Sequence, residues 1–117
     1  MAASTFSRPL PLVVYRASGF WSRLAGLLGR PELHKGEALY LMPCASVHTW
    51  FMPYCIDVVF VDSDGLVLRV VSDLEPWRSA WCKGAHAALE LRAGQAAQFG
   101  IAPGRLLGQS AIEWVHR

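Results

Sequence analysis

Between Ile56 and Val71 the chain reads IDVVFVDSDGLVLRVV, two runs of Val, Ile, Leu and Phe joined by Ser63, Asp64 and Gly65. Asp-Gly between β-branched runs is a hairpin signal, because glycine supplies the positive φ that a tight turn demands and the branched side chains suit a pleated strand. The first run carries apolar residues at four successive positions, Val58 to Val61, so both of its faces expect cover. A chain containing such a hairpin is committed to a sheet with something packed on each side.

Other segments extend that sheet. Leu12 to Tyr15 follows Pro9 and Pro11 and reads as an opening strand on a sheet edge. Glu37 to Met42, Val47 to Met52, Ala87 to Leu91 and Ala111 to Val115 read as further strands, the first and second of these closed by Pro43 and Pro53 respectively. Helical spacing occurs twice. Ser18 caps a helix with Phe20, Leu24, Leu27 and Leu28 on one side, stopped by Gly29 and Pro31; Gly94 to Phe99 makes one or two further turns before Gly100. Asp73 to Gly84 has no period and reads as a loop whose tryptophans pack onto the domain. The expected fold is mainly β (α+β): a small antiparallel barrel-like or sandwich sheet, with one short helix after the first strand and a second near the C-terminus. At 117 residues and 53% apolar content, residues 1–117 make a single domain.

Charge and cysteine usage narrow the function. Eleven basic and nine acidic residues leave a net +2, with no basic run, which argues against nucleic acid as a partner. No apolar stretch is long enough to span a bilayer, and the LPLVVY run is short for an export signal. Three cysteines, an odd number, suit free thiols in a cytoplasm better than a disulfide framework.

Chemistry concentrates in CASVHTWFMPYCID, residues 44–57, which holds two thiols, an imidazole, a carboxylate and a thioether. Cys44, His48 and Asp57 are the side chains from which a nucleophile, a base and an orienting carboxylate would be built. Cys44 and His48 lie roughly 13 Å apart in an extended chain, so the trio converges only if the chain bends. If Val47 to Met52 pairs with Ile56 onward, a two-residue loop puts His48 and Asp57 on one face and a three-residue loop puts them on opposite faces. The simpler view is a backbone-satisfied imidazole, a carboxylate accepting backbone N–H bonds, and buried thiols. Cys44-x3-His48 and Cys44-x10-Cys55 match no closed zinc spacing, and neither metal nor cofactor is expected. His34, His86 and His116 are isolated and read as surface or boundary residues.

Two further features belong to a candidate ligand site. Arg23 and Arg30 are seven residues apart on the expected helix, and with Arg16 and Arg78 could line an anion pocket, although exposed arginines need no special cause. Trp50, Trp77 and Trp81 could grip a flat ligand, but in a small domain aromatics more often complete the core, the reading favoured here. Glu90, between Leu89 and Leu91, is expected on the solvent side of its strand or paired with an arginine.

RLAGLLGR at Arg23 to Arg30, VHTWFMPYCIDVVFVDSDG at Val47 to Gly65, PWR at Pro76 to Arg78, LELRAG at Leu89 to Gly94 and GIAPG at Gly100 to Gly104 occur in an order that resembles the bacterial and archaeal domain of unknown function 192 family. The resemblance covers about residues 15–107. It implies a compact, mostly antiparallel β domain with a short helix after the first strand, and supplies no mechanism. No phosphate loop, HExxH, paired-cysteine motif or nucleophile elbow is present. The reading is therefore a small soluble binding or accessory domain without turnover, a monomer or weak dimer, its ligand site drawn from His48, Trp50, Met52, Asp57, Arg23, Arg30 and Arg78 and its partner a small ligand or a protein. The alternatives are a thiol-dependent hydrolase or transferase using Cys44 and His48, and a protein-interaction module.

Overall fold

A computed structural model describes residues 12–18, 33–50, 52–107 and 113–116. The expected helix at residues 18–29, with Arg23 and Arg30, falls outside them apart from its cap. Among the described residues the order is β1 (Val13–Ser18), β2 (Glu37–Met42), β3 (Ser46–His48), β4 (Ile56–Val61), β5 (Val67–Leu74), β6 (Ser79–Trp81), β7 (Ala87–Arg92), α1 (Gln95–Gln98) and β8 (Glu113–His116). Six strands form one sheet in the order β5-β4-β7-β2-β1-β8, and β3 pairs with β6 in a separate two-stranded sheet.

The anticipated hairpin forms β4 and β5, which pair antiparallel. The Asp62 carboxylate organises its turn by accepting N–H bonds from Asp64 and Leu66, both at 2.9 Å. Gly65 sits at φ +86°, and a Cβ there would come within 2.7 Å of the Leu107 carbonyl oxygen. Glycine is thus required twice, by its backbone angle and by the approach of the C-terminal segment.

Two expectations about the sheet are corrected. It is open, with β5 and β8 at its edges, so no barrel closes among the described residues. It is also mixed: β1 runs parallel to both β2 and β8 and lies inside the sheet, not on its edge. Residues 19–36 separate β1 from β2, more than the dozen or so a parallel crossover needs. Pro9 and Pro11 precede β1 and therefore withhold no donor from its ladders.

The sheet is buried on both faces, as the unbroken apolar run in β4 requires. Val59 and Val61 join Leu89, Leu91, Ala96, Ile101 and Leu107 in one cluster, while Ile56, Val58 and Phe60 join Leu41, Ala88, Val47 and Ala80 in another. The first cluster is covered by α1 and the segment after it. The second is covered by the β3–β6 pair, whose Val47 and Ala80 face inward; this pair is called the cap below. α1 matches the anticipated second helix, and Arg105 closes its end by donating to the carbonyls of Phe99 (2.7 Å) and Gly100 (3.0 Å).

Candidate functional site

The cap decides where the candidate residues stand. The strand anticipated over Val47 to Met52 is limited to Ser46–His48, and it pairs with β6, a strand inside the segment expected to be a loop. Since β3 does not pair with β4, neither of the two hairpin registers considered for His48 and Asp57 is realised.

Asp57 is wholly buried in β4. Its Oδ1 accepts the N–H of Asp73 at 3.0 Å, and its Oδ2 accepts those of Gly94 at 3.0 Å and Ala96 at 2.9 Å. One carboxylate therefore ties the end of β5 and the start of α1 to the central sheet. Asp73, at φ +53°, occupies a left-handed conformation that aspartate tolerates better than most residues. Cys44 is also buried, and its thiol donates to the Ser46 carbonyl at 2.9 Å. His48 is on the opposite side of the cap, exposed, with its ring 4.7 Å from that of Trp50 and tilted by 31°.

Thr49 had no signal in the sequence, yet it organises the region. It is wholly buried directly after β3. Its hydroxyl donates to the Glu75 carbonyl at 2.5 Å and accepts the Arg78 N–H at 2.9 Å, with the Arg78 carbonyl 3.1 Å away. Its backbone N–H donates to that same Arg78 carbonyl (2.8 Å), and its own carbonyl accepts from Trp77 (3.0 Å) and Met52 (3.2 Å). The turn from Glu75 to Arg78 is thereby fastened to the end of β3. In that turn Trp77 sits at φ +62°, a left-handed conformation costing a bulky residue on the order of 1–3 kcal/mol.

The consequence is an aromatic surface. Trp50, Trp77 and Trp81 are 45%, 59% and 65% exposed, which corrects the expectation that they complete the core. Inside the cap the space is already filled by Val47, Ala80, Met52 and Cys44. Arg78 follows Trp77 in the turn and lies 3.9 Å from Glu75, both side chains largely solvated, so this pair adds little to stability. Met52 belongs to the core beneath the cap. Glu90 is buried as well, on the face shared with Val58 and Leu39, contrary to the solvent-side expectation. His34 and His86 are exposed as anticipated. Cys55 and Cys82 are half-buried free thiols. Among the described residues, no group of three or more His, Cys, Asp or Glu is arranged to hold a metal ion, and no helix is long and apolar enough to cross a membrane.

The family model DUF192, described as an uncharacterized ACR, matches residues 3–108. The chain belongs to the DUF192 family. No curated protein matches it. Among solved structures it is similar to a protein of unknown function from Novosphingobium aromaticivorans DSM 12444, with 26% identity over 78% of this chain and 70% of that one, at a TM-score of 0.68. It is also similar to a protein described as a putative transcription regulator from Sinorhizobium meliloti 1021, with 20% identity over 78% of this chain and 76% of that one, at a TM-score of 0.69. The second likeness shows the fold alone. This DUF192 chain thus shares its architecture with proteins whose descriptions assign it no reaction.

Proposed function

We propose that this DUF192 domain is a binding or accessory protein without turnover, with its ligand surface on the outside of the cap around His48, Trp50 and Arg78, joined by Trp77 and Trp81. The observation that carries the reading is the cost at which the indoles are held in water. Large exposed aromatics forfeit hydrophobic burial, and Trp77 in addition stands in a strained conformation maintained by the Thr49 hydrogen bonds. Stability alone would favour relaxing both; recognition gives a reason to keep them. Met52 and Asp57 serve from below, Met52 by packing under the cap and Asp57 by fixing the end of β5 that leads into the turn. The domain acts in the cytoplasm as a monomer or weak dimer.

A thiol hydrolase built on Cys44 and His48 has less support. A nucleophile must be reachable and in contact with its base. Cys44 is 4% exposed and its thiol is directed at a backbone carbonyl, while the imidazole stacks on an indole at the outer surface.

Amide chemical-shift mapping with a mixed library of soluble fragments and short peptides tests the choice. Hits should cluster on β3, β6 and the turn between Glu75 and Arg78. Hits elsewhere would end the proposal, as would alkylation of Cys44 by iodoacetamide faster than that of a free thiol at neutral pH.

A further inference from the structure

The order of side chains along the outer face of the cap follows from the β3–β6 register. Ser46 stands opposite Trp81 and His48 opposite Ser79, giving two successive rows on the face away from Val47 and Ala80. Past the second row Trp50 stacks on His48, and Trp77 is hydrogen-bonded to the adjoining Thr49. Indoles therefore mark both ends of a strip, with an imidazole and a serine hydroxyl between them. From the Trp81 row to the Trp77 end is four residues, at most about 13 Å at ~3.3 Å per residue.

Size, charge and hydrogen bonding each restrict what lies along this strip. A fully exposed indole presents up to ~250 Å², so at the observed exposures the three together offer about 400 Å². A stable protein–protein interface takes ~800 Å² from each partner, about twice what the three indoles present, and their arrangement along one strip suits a short linear segment. Charges of both signs surround it: Arg78 is beside Glu75, Arg69 donates to the Trp81 carbonyl, and Asp73 is close by in sequence. Among the described residues the charges beside the strip are of mixed sign and collect no polyanion, which favours an uncharged ligand. The Trp50 and Trp81 indoles and the hydroxyls of the exposed Ser46 and Ser79 carry donors that suit a ligand with open acceptors. A polyproline II segment has that character, since it makes no internal hydrogen bonds and leaves its carbonyls to external donors. Four of its residues span about 12 Å, the length of the strip. Its flat rings pack on aromatic faces, and its conformation is set before binding, which lowers the ordering cost.

We infer that the outer face of the cap binds a short, uncharged proline-rich segment in the polyproline II conformation. This rests on the binding function proposed above and specifies its ligand class.

The probe is an acetylated and amidated peptide of three Pro-Pro-Leu repeats, with a control in which alanine replaces every proline. Each is titrated into the full chain while backbone amide and indole N–H resonances are followed. The proline peptide should give saturable shifts confined to β3, β6, Trp50, Trp77 and Trp81, and the alanine peptide should give none. Trp81→Ala and Trp50→Ala should each weaken binding about tenfold or more with thermal midpoints nearly unchanged. Affinity should change by less than about twofold between ~50 mM and ~500 mM salt. Unshifted cap resonances, or binding by both variants as tight as by the unaltered chain, overturn the inference. Cellohexaose and vesicles of phosphatidylcholine with phosphatidylglycerol separate the two levels of failure. If either moves the cap resonances and the peptide does not, the polyproline assignment falls and the binding function stands. If none of the three moves them and library hits map elsewhere, both fall.

Discussion

Asp57 and the tryptophans of the cap exchange the places usually given to their chemistry. The carboxylate is sealed in the centre of the sheet, and three indoles stand in solvent. The difference teaches that burial here follows hydrogen-bond supply, not hydropathy. Three backbone N–H groups converge on Asp57 and compensate its desolvation. On the cap the inner positions are taken by compact side chains, so the large rings are turned outward and kept there by Thr49. One region spends polar contacts on making a core rigid; the other spends them on holding a surface open.

The sharpest way to break this comparison is at its buried end. Asp57→Ala leaves three backbone donors, the buried Ala96 N–H among them, without their acceptor and should cost about 3–5 kcal/mol, a large part of the ~5–15 kcal/mol available to a domain. Chemical denaturation would read this as a lowered midpoint, and a loss under about 1 kcal/mol would show that the knot is not what fastens β5 and α1. Gly65→Ala should cost about 2 kcal/mol or more, because it adds a left-handed alanine and a Cβ against the Leu107 carbonyl. An unchanged thermal midpoint would mean that the C-terminal segment moves aside at no cost.

Effects shrink toward the cap and change in kind. Thr49→Val keeps the shape but removes the partner of the Glu75 carbonyl and the Arg78 N–H, with an expected loss of about 1–3 kcal/mol. It should also free the turn, seen as faster amide exchange at Trp77 and Arg78; exchange that stays slow would show that the backbone bonds suffice. Trp77→Gly relieves the strained φ and should leave stability unchanged or raise it by up to about 1 kcal/mol. A clear fall in the thermal midpoint would mean that the ring packs more than its exposure indicates. Trp81→Ala, the mildest, should shift stability by less than about 0.5 kcal/mol. If it destabilised the protein as much as Thr49→Val, the contrast between core knot and displayed surface would collapse.

Part of this was legible beforehand. The β4–β5 hairpin, β2, β7 and the short helix after Gly94 were found where local chemistry demanded them, since β-branched alternation, Asp-Gly and glycine stops act within a few residues. Asp57 also left a trace: a carboxylate inside the apolar run IDVVFV has to be satisfied from elsewhere, and backbone N–H acceptance was the simpler of its two readings. Thr49 left none, because Glu75 and Arg78 lie 26 and 29 residues away and nothing near it announces them. The partners of Asp57 at Gly94 and Ala96 are more distant still, at 37 and 39 residues.

The amino-acid order by itself determined the β4–β5 hairpin and the strands β2 and β7, that the sheet needs cover on both faces, and that the chain is a member of the DUF192 family. The tertiary structure alone decided that β3 pairs with β6, that β1 runs parallel inside the sheet, that Glu90 is buried and that three indoles face water. The physical reason is one of range. Propensity and pattern act over a turn or two of chain, whereas pairing and burial depend on which remote donors and apolar faces arrive together when the chain closes on itself.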